Sequence, residues 1–450
     1  MLQSARLPDP TVRTALIGLA AAIAGSLVCV ALPSVGLQIA FAVGMCLLVL
    51  SIVAMRMKRT LNPAWVVVAL VYLVAPVGAV VGGLGLGVST IALLVAMPAP
   101  FVVVAGLRDP DARLRLVRLT PFVVLVLFAG LSLLWSPRDG IGFEKLALLI
   151  LTGLVPAGYL LVLTTRPERI AWWLVAVAAM VLAISVIVLG ERSPLYPDRV
   201  SVFGDNPIWT ARALFIGALV MLFGPFPWVA RLVTVPILVV AGLLTASLGP
   251  AVGLVIGTLA GVTVALHEAS RARRTVRPAA VVVTLLCSLA IVVAIADALG
   301  GGRSLTAQVF GNDPNVVGRA TLLATAVPMF LASPLEGMGL GGFAVSGLAT
   351  YPHNLVVEIG TELGILGLAA YGAWLLVALV GASRSPLVMA LVVATALFSL
   401  FSGSLASNVE FWLFTAIAVA IIPIRRDLQR AVATQEATDE SRLDVVARAT

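Results

Sequence analysis

Of 450 residues, 61% are hydrophobic and only 11% are charged, and the mean hydropathy is +1.11. A soluble chain of this length needs far more polar surface to cover its core, so the composition excludes a soluble globular protein and leaves a polytopic membrane protein. The formal net charge of +8 does not point to nucleic acid, because the basic residues fall in short connections between apolar runs, where they set orientation.

Runs of about 17–22 apolar residues are long enough to cross a bilayer as helices. Fourteen such spans are predicted in chain order: 14–32, 36–55, 63–82, 86–106, 119–135, 145–163, 169–190, 208–224, 232–247, 249–266, 279–299, 354–380, 386–403 and 408–423. The first run lacks a small-residue cleavage site and is followed at once by another, so no cleavable signal is expected. With the N-terminus placed in the cytoplasm, fifteen basic residues fall in cytoplasmic connections, among them Arg108, Arg113, Arg115, Arg118 and Arg384. Six remain outside: Arg138, Lys145, Arg192, Arg199, Arg303 and Arg319. That bias predicts both termini in the cytoplasm and a multi-pass protein of the cytoplasmic membrane. The expectation is one all-α transmembrane domain over 1–423 and a polar cytoplasmic tail over 424–450. Cys29, Cys46 and Cys287 all lie in apolar runs, with no metal-ligand spacing and no expected disulfide.

Two outer loops carry most of the chemistry. The first, "ERSPLYPDRVSVFGDNP", joins spans seven and eight. The second, from about 300 to 353, joins spans eleven and twelve. A loop that long inside a compact protein is expected to be partly folded and functional. Within it, Asp313 reads as a helix cap, Pro314 as a first-turn residue and Arg319 as part of the helix that follows. "SPLEGMGLGGF" then suits a tight turn back to the membrane.

Ionisable groups outside the cytoplasmic face are few. His353 reads as a loop histidine at a water interface, as the cap of span twelve or as a base, and Asn354 beside it as that cap instead or as a substrate contact. His267 lies among cytoplasmic arginines and receives no role. Glu358 and Glu362 are one helical turn apart on the face of Asn354. Carboxylates at that depth are expensive in lipid and must face protein or water, where one of them can fix a histidine tautomer and raise its basicity. Arg199 and Arg319 come from separate outer loops, and read either as loop cations near lipid headgroups or as two planar guanidiniums that grip a pyrophosphate. Arg212 sits about a turn inside span eight, and either snorkels outward or pairs with Asp205. Asp198, Asp205, Asp313 and Glu336 are outer carboxylates without a recognisable ligand spacing, so no metal is expected.

"HNLVVEIGTELGILGL" resembles the membrane signature of the O-antigen ligase and polymerase family: His-Asn, a Glu nine positions after the His, then Gly-x-x-Gly-Leu. "GRATLLATAVPMFLASPLEGMGLGGF" resembles the family's Arg-bearing outer helix and its glycine turn, and "RVSVFGDNPIWTA" its Arg followed by Asn-Pro at the start of a span. The three occur in the family's order and cover about 170–423. Two positions depart from the pattern: Leu248 stands where the family often has Arg, and Ile208 follows the Asn-Pro. The resemblance implies a C-type membrane glycosyltransferase architecture that is metal-independent and inverting, and uses no cofactor. It implies a glycan donor on undecaprenyl pyrophosphate and a glycan, lipid or cell-wall acceptor at the outer face, in surface polysaccharide biosynthesis. Carried onto this chain, His353 is the base, Arg199 and Arg319 bind the pyrophosphate, and Glu358 or Glu362 orients the imidazole. A multispan transporter or flippase of a small anion or lipid-linked sugar is the rival reading, since fourteen spans suit that class. Such proteins commonly show repeated halves with broken helices, and no such symmetry is visible in the sequence.

Overall fold

The computed structural model describes residues 110–137, 141–163, 169–192, 199–201, 206–271 and 314–423. The expected spans at 14–32, 36–55, 63–82, 86–106 and 279–299 lie outside the described residues, as do the three cysteines and the tail from 424. Asp198, Asp205 and Asp313 lie outside them too.

What is described is mostly helical, and apart from the short, charged α1 its helices are apolar. Their order is α1 (Pro110–Val117), α2 (Thr120–Ser132), α3 (Ile141–Leu149), a π-turn (Ile150–Leu154), α4 (Val155–Leu163) and α5 (Arg169–Leu189). A two-residue hairpin, β1 (Glu191–Arg192) with β2 (Val200–Ser201), leads into α6 (Pro207–Phe223), α7 (Trp228–Leu244) and α8 (Leu248–Arg271). After the undescribed stretch come α9 (Pro314–Ala332), a 3₁₀ turn (Gly342–Ser346), α10 (Leu355–Ala382), α11 (Pro386–Phe401) and α12 (Val409–Ala420). Where they are described, the predicted spans coincide with these helices to within a few residues. Ile141–Val162, Leu248–Ser270 and Leu355–Ala382 are long and apolar enough to cross a membrane alone, and α1 with α2 forms a fourth candidate bent by 58°. A helix meets every internal backbone hydrogen bond by itself, which is the condition for lying in lipid.

Packing is set by small residues and by aromatic stacking. Gly249, Gly253, Gly257 and Gly261 recur every fourth residue along one face of α8, and α11 lies directly on that face. A Cβ at Gly257 would stand 2.7 Å from the Ala390 carbonyl and 2.8 Å from the Ala394 methyl. Only a bare glycine face lets the two backbones approach this closely, the usual device where lipid removes the hydrophobic drive between helices. On the other side of the bundle, Phe122 of α2 stacks between Trp374 of α10 at 5.2 Å and Trp412 of α12 at 4.7 Å.

One end of the bundle is closed by arginines. Arg115 donates to the carbonyls of Leu161 and Val162 at the end of α4, and Arg118 to those of Ile422 and Pro423 after α12. Cations on helix C-termini satisfy orphan carbonyls and suit the negative end of the macrodipole. All of these segments belong to the face assigned to the cytoplasm by the basic residues.

Helix α10 is broken rather than continuous. Gly364 has φ 62° and ψ −161°, and the chain from Pro334 to Met338 lies in the gap. The N–H groups of Ile365 and Leu366 donate to the carbonyls of Pro334 and Leu335, and the Met338 N–H donates to the Thr361 carbonyl. The expected turn is thus a re-entrant piece of backbone that satisfies the groups freed by the break. The inserted backbone is paired with the helix although Pro334, Leu335 and Glu336 themselves are exposed.

Candidate active site

Four stretches of chain meet at a cavity of about 420 Å³ on the face opposite the arginine-capped end. The hairpin presents Arg199 at the head of β2, only 5% exposed. Helix α6 begins beside it, with the Asn206 side chain accepting from the Ile208 N–H at 3.0 Å and Pro207 in the first turn. Helix α9 lays Gly318, Arg319, Thr321 and Leu322 along another wall. The segment before α10 contributes Tyr351 and His353, and Ser402 after α11 adds a hydroxyl. Arg199 from the first outer loop, and Arg319 and His353 from the second, therefore line one cavity.

His353 is held in an unusual backbone. Its φ of 55° lies in the left-handed region, uncommon for a non-glycine residue and tolerated when the surroundings over-determine it. The next residue, Asn354, caps α10 by accepting from the Val357 N–H at 3.1 Å. The Tyr351 ring packs against the imidazole, centroids 4.5 Å apart. Burial lowers the His353 pKa below its ordinary 6.5, and the positive charge of Arg319 lowers it further. Both effects favour the neutral imidazole, the form that accepts a proton.

Four other residues singled out in the sequence have different surroundings. Glu358 and Glu362 are fully buried and meet Lys145 at 2.8 and 2.6 Å. Glu358 also accepts from the Leu405 N–H at 2.7 Å, and Glu362 accepts from the Gly341 and Phe343 N–H groups at 2.9 and 3.4 Å. Their oxygens go to that lysine and to backbone, not to His353, so the expected orienting contact with the imidazole is corrected. Asn354 is a helix cap, and its side-chain oxygen is engaged with Val357. Arg212 does not snorkel: it is 1% exposed and donates to Asn408 Oδ1 and to the Phe398 and Ser402 carbonyls. Among the described residues its carboxylate neighbour is Glu410 at 3.8 Å, the expected pairing with Asp205 lying outside them, and its guanidinium lies 4.4 Å from the Trp209 ring, which itself faces the cavity. It braces the floor from beneath, neutralising the C-terminal carbonyls of α11.

Lys145, counted among outer-loop cations in the sequence, is instead 6% exposed inside the bundle. The available signal was its chemistry: it is one of two lysines in an arginine-rich chain, embedded in the apolar run "GFEKLALLI". Tyr351, Trp209 and Ser402 carried no such mark, because only the fold brings them to the cavity. Glu336 is exposed, and among the described residues no group of three or more metal-ligating side chains comes together.

A family model described as O-antigen ligase matches residues 233–372. The match takes in Arg319, the glycine turn, His353 and the first half of α10, and starts after Arg199 and Arg212. No curated protein matches the chain. Residues 233–372 of this mostly helical, apolar chain thus carry the O-antigen ligase domain, and the His-Asn and glycine-turn motifs both fall inside it.

Proposed function

We propose that the cavity transfers a glycan from undecaprenyl pyrophosphate to an acceptor hydroxyl at the outer face of the cytoplasmic membrane, as in an O-antigen ligase or polymerase. The observation that carries this reading is the convergence of Arg199, Arg319 and His353 on one cavity from three separate stretches of chain. The acceptor oxygen attacks the anomeric carbon while His353 takes its proton, and the bond from that carbon to the pyrophosphate oxygen breaks. A single displacement of this kind inverts the anomeric centre. The undecaprenyl pyrophosphate leaves with the bonding electron pair, and its growing charge is met by Arg199 and Arg319 as fixed cations in a partly enclosed site. No nucleotide enters, since the glycosyl pyrophosphate linkage stores the free energy, and no cofactor or metal is required in this scheme. In the same reading the transmembrane domain spans 1–423, the segment 424–450 is a cytoplasmic tail and both termini are cytoplasmic.

The transporter reading has one observation in its favour, the broken α10. The groups freed by that break are filled by the chain's own backbone rather than left lining a passage, which favours the transferase. The test is the fate of the donor in cells. With His353→Ala as the only copy, lipid-linked glycan should accumulate while its transferred product disappears; unchanged product would overturn the reading.

A further inference from the structure

We propose that Lys145 is a positioning residue for the transfer site, a latch that fixes the elements carrying Arg319 and His353 relative to each other. The inference rests on the functional reading above. Lys145 stands on α3 and belongs to neither wall of the cavity, yet its ammonium holds Glu358 at 2.8 Å and Glu362 at 2.6 Å. Both carboxylates lie on α10, whose N-terminus follows His353 directly. Each then reaches a different piece of backbone.

Glu362 uses both oxygens on the glycine turn, one on the Gly341 N–H and one on the Phe343 N–H. That turn is the return path from α9, the helix of Arg319. Glu358 places its second oxygen on the Leu405 N–H, in the loop that follows Ser402 at the cavity floor. One lysine therefore sets two carboxylates side by side, and the carboxylates lock the turn behind Arg319 and the loop below His353.

As long as both carboxylates are ionised, the lysine is what holds them side by side. Two carboxylates one helical turn apart in a buried setting repel strongly, and the repulsion is little screened. Without the ammonium one of them must move or become protonated, and either outcome disturbs the hydrogen bonds it makes. Buried ion clusters are weak contributors to net stability and are best attested as devices that select one arrangement. The cluster has one cation and two anions, a net charge of −1.

Two double variants restore that charge and separate a latch from a mere charge balance. Lys145→Met/Glu358→Gln keeps Glu362 with both oxygens on the turn, and the new amide oxygen can still accept from Leu405. Lys145→Met/Glu362→Gln places an NH₂ where one of the two turn amides needs an acceptor, so donor meets donor. Full-length protein in nanodiscs, with Cys29, Cys46 and Cys287 replaced, carries spin labels at Leu323 on α9 and Leu127 on α2, both exposed. The expected distance distribution is narrow for the otherwise unmodified chain and for Lys145→Met/Glu358→Gln, and broad for Lys145→Met/Glu362→Gln. Binding of undecaprenyl pyrophosphate, read by tryptophan fluorescence, should follow the same order, at least tenfold weaker in the Glu362 double variant and within threefold in the Glu358 one. Indistinguishable double variants in the distance measurement would overturn the latch. Distances that separate as expected, with no pyrophosphate binding by the unmodified chain, would sustain the latch and remove the donor reading instead.

Discussion

His353 combines a strained backbone, a packed ring and a depressed pKa. A histidine whose pKa is lowered stays neutral below 6.5, so activity that needs the neutral base should persist at mildly acidic pH and fall only as pH drops through that lowered value. Loss of the Arg319 charge removes one of the two depressing causes, and the acid limb of residual activity in Arg319→Gln should move to higher pH. A limb that stays where it was would separate the two residues. His353→Gln can hydrogen-bond but cannot take a proton near neutral pH, so its transfer rate should fall by about 10²–10⁴-fold. Near-native turnover in that variant would reduce His353 to a positioning role. The arginines are tested by shape rather than charge. Lysine keeps the cation but not the planar fork, so Arg199→Lys and Arg319→Lys should each lose on the order of 10²-fold in turnover. The protein should still be found in the membrane at normal level, and full activity in both variants would make them generic headgroup contacts.

At the scale of elements, glycine does two different jobs. On α8 it is a packing surface: Gly257→Val drives methyl groups into the Ala390 carbonyl and the Ala394 side chain of α11. Overpacking of that kind costs about 1–3 kcal/mol, readable as a lower midpoint of thermal unfolding in detergent. An unchanged midpoint would mean that the two helices separate without penalty. On α10 glycine supplies backbone freedom, because Gly364 sits at a positive φ and a Cβ there would meet the Leu335 carbonyl. The break lets the Pro334–Met338 backbone enter the helix and anchors the return from α9. Through that anchor, a feature inside the bundle reaches the cavity wall that carries Arg319.

At the scale of the whole molecule, the two ends are chemically distinct. One end has Arg115 and Arg118 on helix C-termini, and the other has the cavity with Arg199, Arg319 and His353. The alternation of basic loops predicts which end faces which compartment. A cysteine at Leu348, exposed beside the cavity, should react with an impermeant thiol reagent added to intact cells, whereas one at Ser383, exposed between α10 and α11, should be protected. Reversed labelling would place the cavity in the cytoplasm, where an outer-leaflet donor cannot reach it.

Hydropathy determined where the predicted spans run among the described residues, because a spanning segment must be apolar along its whole length, whereas α1 was not expected and α9 was read from its cap and first-turn proline. Local motifs likewise singled out Arg199, Arg319 and His353, which line one cavity, since permanent cations and an imidazole stand out where nearly everything else is aliphatic. The tertiary structure decided which ionisable groups belong together. Glu358 and Glu362 share a helix face with Asn354, and periodicity carries no record of what lies across that face. Their partner, Lys145, is more than two hundred positions earlier in the chain, and Arg212 finds Asn408 and Glu410 nearly as far away. The break at Gly364 was equally hidden: glycine is common in membrane helices, and only the backbone inserted beside this one turns it from a packing residue into a hinge point. Pairings of this kind are long-range electrostatic choices made when helices dock, so they are written in the arrangement of the bundle and not in any single stretch of it.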